Sequence, residues 1–132
     1  MTLNELRDKV FANAQKHGFH ENNNFGESLM LVVSELSEAL EADRQDKWFL
    51  KNHSCAGWKA IFDKACVAEP KDTGTIIDAY ISYIKGSVEE EIVDAMIRLF
   101  DIAGVWNIDL DFHVKAKMAY NETRPYKHGK KY

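Results

Sequence analysis

The sequence predicts an all-α fold, and two observations carry that prediction. Apolar residues recur with helical spacing in almost every segment, and no run of four to eight residues alternates as a half-exposed strand would. A length of 132 residues suits one domain with one core. Hydrophobic residues at 45% and charged residues at 29% exclude disordered, collagen-like and low-complexity classes.

The first helix opens at Thr2, where Glu5 completes a capping box; Leu3, Leu6, Val10 and Ala14 form its apolar stripe, and Gly18 stops it. A polar loop, His20 to Asn24, leads through Phe25 and Gly26 into a long second helix that runs to about Arg44, with Leu29, Val33, Leu36 and Leu40 along one side. Residues 46–86 carry a periodicity of their own. Trp58, Ile61, Phe62, Ala65 and Cys66 suit a short helix ended near Pro70, and Ile76, Ile77, Tyr80, Ile81 and Ile84 suit another that stops at Gly86. These are read as a helical insertion in a single domain spanning 1–132. Ser87 and Glu90 form a second capping box and start a helix to about Asn107. Asp109 or Asp111 caps the last helix, which Pro125 ends near Arg124.

The net charge of −4 hides an asymmetry. Residues 113–132 hold six basic residues against Glu122 alone, giving +5, so residues 1–112 carry −9. The longest apolar runs, such as Leu29 to Val33, are far short of the roughly 20 residues that cross a bilayer, so no membrane span is expected. The N-terminus turns acidic at once and has no apolar stretch of a secretion signal, which makes the cytoplasm the expected compartment. Cys55 and Cys66 have no metal or redox spacing and are read as reduced packing residues.

Two acidic pairs stand out, Glu35-x-x-Glu38 in the second helix and Glu91-x-x-Asp94 in the fifth. Helical positions three apart are neighbours, so each pair points two carboxylates into one space, where like charges repel unless a cation lies between them. If the two helices pack face to face, four carboxylates converge, and hard divalent cations such as Mg²⁺ or Mn²⁺ suit an all-oxygen site. Apolar residues from Val88 to Trp106 cover more than half of the fifth helix, which predicts that it is mostly buried. Its polar stripe holds Glu91, Asp94, Arg98 and Asp101, and charges on such a helix need a partner or a metal. Asp101 is either a salt-bridge partner of Arg98 or a further metal-associated acid. No histidine has a glutamate three residues before it, which closes the di-iron carboxylate route and argues against catalytic zinc.

In the basic tail, Lys117, Asn121 and Arg124 share one face of the last helix and present two cations and an amide, a set that suits phosphate. The overall acidity and the lack of a recognisable DNA- or RNA-binding motif argue against specific nucleic-acid binding.

Taken together, Gly26 to Ala42 with Glu35 and Glu38, Glu90 to Asp101 with Glu91 and Asp94, and Lys117 with Asn121 and Arg124 resemble the MazG-like all-α nucleoside triphosphate pyrophosphohydrolases. The resemblance covers the chain outside the insertion, and its specificity lies in the ordered combination of motifs. It implies a four-helix-bundle core completed by oligomerisation, as a homodimer or a dimer of dimers. It implies Mg²⁺-dependent hydrolysis of a ribo- or deoxyribonucleoside triphosphate to the monophosphate and pyrophosphate, a nucleotide-pool house-cleaning activity, with Mn²⁺ as the substitute ion. Glu35, Glu38, Glu91 and Asp94 match the family's metal-binding acids, and Lys117, Asn121 and Arg124 its nucleotide-contacting positions. This chain has Ser34 where the family often has another glutamate, and its motifs are separated more widely than in compact members. Residues 46–86 are therefore a lid, a base-reading element or an oligomer contact. His20, Asn22 to Asn24, Phe25, Trp48 and Tyr120 are the candidates for base recognition, which needs stacking and amide hydrogen bonds. Two other classes fit the same pattern: a non-catalytic nucleotide- or metal-binding helical module, and a structural helical interaction protein whose acids form a solvated face.

Overall fold

The computed structural model describes residues 1–21, 24–52 and 56–129. Among them every regular element is helical: α1 (Leu3–Lys16), α2 (Phe25–Arg44), α3 (Phe49–Asn52), α4 (Ala56–Val67), α5 (Thr73–Tyr83), α6 (Val88–Val105), α7 (Leu110–Glu122) and a closing 3-10 turn at Tyr126–Gly129. The all-α expectation holds, and α3, α4 and α5 fill the expected insertion. No described helix is long and apolar enough to cross a membrane. The chain divides into two compact units, residues 1–28 with 97–132 and residues 29–96.

In the first unit the N-termini of α1 and α7 cap each other. Thr2 and Glu5 form the expected box: the Thr2 hydroxyl accepts from the Glu5 N–H at 3.1 Å, and the Glu5 carboxylate accepts from the Thr2 N–H at 2.7 Å. The Asp111 carboxylate then accepts from the Leu3 and Asn4 N–H groups at 3.0 and 3.2 Å. Asn4 returns the contact, accepting from the Leu110 N–H and donating to Asp109, each at 2.9 Å. Of the two sequence candidates, Asp109 is the α7 cap, accepting from Phe112 N–H at 3.0 Å. Asp111 instead serves α1. Carboxylates thus meet the positive ends of two helix dipoles, a favourable placement. Gly18, at φ +80°, ends α1 as expected. Gly104 lets α6 approach α1 closely: a Cβ there would lie 2.6 Å from Phe11 Cβ. Ile102 and Ala103 are the buried residues beside it.

In the second unit α4 and α5 pack on each other, and Asp72 caps α5 by accepting from Thr75 N–H at 3.1 Å. Trp58 gathers the aromatics, stacked on Tyr83 at 5.7 Å and edge-on to Phe49 and Phe62 at 5.1 and 6.1 Å. Among the described residues, the buried apolar side chains of this unit are small, Val32, Ala39, Ala42, Ala65, Ala79, Val88 and Ala95, and Glu35 and Ser87 are buried with them.

On α2, Leu29, Val33, Leu36 and Leu40, which share one side of the helix as their spacing predicts, lie exposed in the single chain, with Leu36 and Leu40 at 51%. The buried residues of this helix are Val32, Glu35, Ala39 and Ala42. On α6, Ile92, Val93, Met96, Ile97 and Leu99 are likewise exposed in the single chain, so the predicted burial of this helix is not met by its own chain.

Candidate metal centre

Helix α2 places Glu35 in the middle of its buried stripe, with small neighbours on either side that leave room for a carboxylate. One turn on, Glu38 stands exposed, with the Ser34 hydroxyl 3.5 Å from its carboxylate. Glu91, half-buried in the first turn of α6, completes the group: one carboxylate oxygen from each of Glu35, Glu38 and Glu91 lies within 4.8 Å of the others.

The electrostatics follow from that convergence. The Glu91 carboxyl is held above its ordinary value, first by burial and then by the negative charges of Glu90, Glu38, Asp94 and Glu35. Of the four acids the sequence singles out, three form the close group, and Asp94 adds its charge from the next turn of α6.

The donor set fits a hard divalent cation. Oxygens bound to Mg²⁺ at roughly 2.1 Å lie about 3 Å apart when adjacent and about 4.2 Å when opposite. Three carboxylate oxygens within 4.8 Å of one another form a group that could hold a metal ion, with oxygen as its only donor type.

What sequence spacing misses is how the three consecutive acids at the start of α6 divide. Glu89 accepts from the Phe49 N–H at 2.8 Å and so ties down α3. The second capping box is half realised: Ser87 Oγ accepts from the Glu90 N–H at 3.2 Å, but the Glu90 carboxylate accepts from the Gly86 N–H and the Tyr80 hydroxyl. Only Glu91 joins Glu35 and Glu38. Tyr80 is itself pushed well above the ordinary phenol range, by burial, by its bond to Glu90 and by the charges of Glu90, Asp94 and Glu91. The sequence marks Tyr80 only as part of an apolar stripe.

In the first unit, α7 ends at Glu122, so Arg124 lies beyond the helix and not on a helical face with Lys117 and Asn121, yet both cations lie beside Tyr120. Lys117 Nζ lies 5.2 Å and the Arg124 guanidinium carbon 5.7 Å from the centre of the Tyr120 ring. Asn121, between them in the sequence, is half-buried, and its Oδ1 has no hydrogen-bond partner among the described residues. The Lys127 side chain, Lys130 and Lys131 lie outside the described residues.

Several other candidates have structural partners. Asp101 is bonded to His20 Nε2 at 2.8 Å, a partner that the sequence did not suggest, and His20 stacks on Phe11 at 4.7 Å. Its Nε2 and one ring face are thus engaged within the chain, while its buried Nδ1 has no hydrogen-bond partner among the described residues. Asn24 caps the start of α2 by accepting from Glu27 N–H at 3.1 Å, and Asn22 and Asn23 lie outside the described residues. Phe25 packs edge-on against Trp106 at 4.9 Å. Trp48 donates to Asp43 at 2.8 Å and has Lys51 over its ring at 5.0 Å. Cys66 is a half-buried free thiol, and Cys55 lies outside the described residues.

No protein-family model, curated protein or solved structure matches this chain.

Proposed function

We propose that this protein is a divalent-cation-dependent pyrophosphohydrolase that cleaves a nucleoside triphosphate to the monophosphate and pyrophosphate. The observation that carries the proposal is the convergence of Glu35, Glu38 and Glu91, with Glu35 buried and Glu91 carrying a raised proton affinity. Three carboxylates held this close repel one another, and a bound cation would offset that repulsion. When bound, Mg²⁺ supplies charge neutralisation for the triphosphate and acidifies a water for attack at phosphorus. The chain's own part is to hold the carboxylates together: α2 carries Glu35 among its buried residues with Glu38 one turn on, and the first turn of α6 carries Glu91. Asp94, one turn beyond Glu91, is assigned to the same acidic site, following the sequence resemblance. Lys117, Asn121 and Arg124 are assigned to the nucleotide, supported by the two cations that flank Tyr120.

A second copy of the chain is proposed to cover the exposed leucines of α2 and the apolar residues of α6, as a homodimer or a dimer of dimers. The support is the amount of large apolar surface that the single chain leaves uncovered on these two helices.

The test is incubation with a panel of ribo- and deoxyribonucleoside triphosphates and Mg²⁺, with pyrophosphate and monophosphate as readouts. Turnover that is lost in Glu38→Gln, at retained helicity, supports the assignment; unchanged turnover in that variant overturns it. Mg²⁺-dependent nucleotide binding without turnover would instead identify a non-catalytic module.

A further inference from the structure

The cluster of Glu35, Glu38 and Glu91 explains three acids, but it leaves open why Glu90, adjacent to Glu91 and equally acidic, stays out of the group. The answer lies in α5. Tyr80 projects its hydroxyl onto the Glu90 carboxylate, and the Gly86 amide donates to the same carboxylate from the turn between α5 and α6. Gly86 sits at φ +75°, a left-handed conformation that turns its N–H toward α6 and that glycine adopts without strain. Two donors from one segment of the insertion therefore hold Glu90 by its side chain, while Ser87 Oγ holds it by its backbone N–H.

This arrangement sets the rotation of the first turn of α6. Successive helical residues differ in direction by about 100°, so a helix with Glu90 fixed toward Tyr80 must aim Glu91 elsewhere. Glu89, fixed on the Phe49 N–H, adds a second constraint on the same turn. With both neighbours anchored, Glu91 is the acid delivered to Glu35 and Glu38.

We propose that Tyr80 is a positioning residue for the carboxylate site, acting through Glu90, so that the insertion braces the metal-holding face of α6. The inference rests on the proposed cation site and adds to it the part played by residues 46–86. Tyr80 touches neither ion nor substrate. Its hydroxyl keeps Glu90 directed to the insertion and Glu91 directed to the site.

The experiment measures Mn²⁺ binding to the full chain by electron paramagnetic resonance, for the natural protein, Tyr80→Phe, Glu90→Gln and the double variant, with circular dichroism and thermal melting alongside. Loss of a ligand's own outer partner typically weakens metal binding 10–100-fold. Tyr80 acts one residue further away, so Tyr80→Phe is expected to weaken Mn²⁺ about three- to ten-fold at unchanged helicity. In the Glu90→Gln background the same substitution is expected to change binding less than about two-fold, because the two residues act as one unit. Unchanged or tighter Mn²⁺ binding in Tyr80→Phe, or losses that simply add in the double variant, overturns the assignment. If Tyr80→Phe fails to fold, Glu90→Gln reports the same connection from its other end, and unweakened Mn²⁺ there overturns it equally. Absence of Mn²⁺ binding by the natural protein sinks the cation site itself and this inference with it, an outcome distinct from the other two.

Discussion

Replacing Glu91 by Gln separates a cation site from an ordinary acidic surface, because the two make opposite predictions for stability. In the metal-free protein Glu91 bears the charges of Glu35 and Glu38 through oxygens within 4.8 Å. At that separation one like-charge pair costs roughly 0.9 kcal/mol in water and roughly 3.5 kcal/mol at an effective dielectric of about 20. Glu38 is exposed and Glu91 half-buried, so solvent screening keeps the cost near the lower figure, and Gln keeps the shape while removing the charge. The metal-free variant is therefore expected to be about 1–2 kcal/mol more stable than the natural protein, which corresponds to roughly 3–8 °C in Tm for a chain of this size. With Mn²⁺ or Mg²⁺ the order reverses. A ligand at a hundred times its Kd stabilises by about 2.7 kcal/mol, and the variant, lacking one donor, is expected to lose most of that gain. Thermal melts of both proteins with chelator and across a cation titration supply the four numbers needed. A metal-free variant less stable than the natural protein, or an equal cation-induced shift in both, would refute the reasoning.

Three further predictions draw on the same structure. Because the folded state holds the Glu91 carboxyl above its ordinary value of 4.5, it binds more protons than the unfolded chain between 4.5 and that raised value, so this group's contribution to stability falls as pH rises through that window. The metal-free advantage of Glu91→Gln is then expected to grow through the window and to vanish well below pH 4.5, as melts across that range would show. Gly104→Ala puts a Cβ 2.6 Å from Phe11 Cβ, well inside the ordinary 3.5–4.0 Å, and is expected to cost about 1–2 kcal/mol after its helix-propensity gain, whereas Gly57→Ala in α4 meets nothing within 4 Å and is expected to cost nothing in denaturant titrations. A double-mutant cycle on His20→Ala and Asp101→Ala is expected to show about 1–2 kcal/mol of coupling from the half-buried 2.8 Å bond, and strict additivity would contradict that bond.

Local signals in the sequence found what local physics determines. Thr2 with Glu5, Gly18 and Asp109 marked helix ends because caps and left-handed turns are decided within four residues. The Glu35 and Glu38 pair was visible for the same reason, since i, i+3 spacing fixes proximity along one helix. Which residues of α2 are buried was not visible. Leucines outrank alanines on any hydrophobic scale, yet Val32, Ala39 and Ala42 accompany Glu35 among the buried residues, because burial is set by the neighbouring elements and not by the hydrophobicity of one helix. Asp101 was assigned to Arg98 or to the metal because nothing in the spacing points to His20, 81 positions away. Nor does composition distinguish Glu89, Glu90 and Glu91. Their separate destinations depend on where Phe49, Tyr80 and Gly86 come to rest, which only the folded insertion determines.

Those three adjacent acids also constrain how the chain can change over evolutionary time. Adding one residue between Ser87 and Glu89 would turn everything beyond it by about 100°, disturbing the partners of all three carboxylates at once. A length change in the loops can be absorbed where it occurs, but one here would detach α3 from Glu89, free Tyr80, and send the wrong acid toward Glu35 and Glu38. The start of α6 is thus a place where substitutions can be sampled one at a time while insertions are closed off. Variation in the length of residues 46–86 can be accommodated only if Tyr80 and Gly86 still arrive at the same carboxylate.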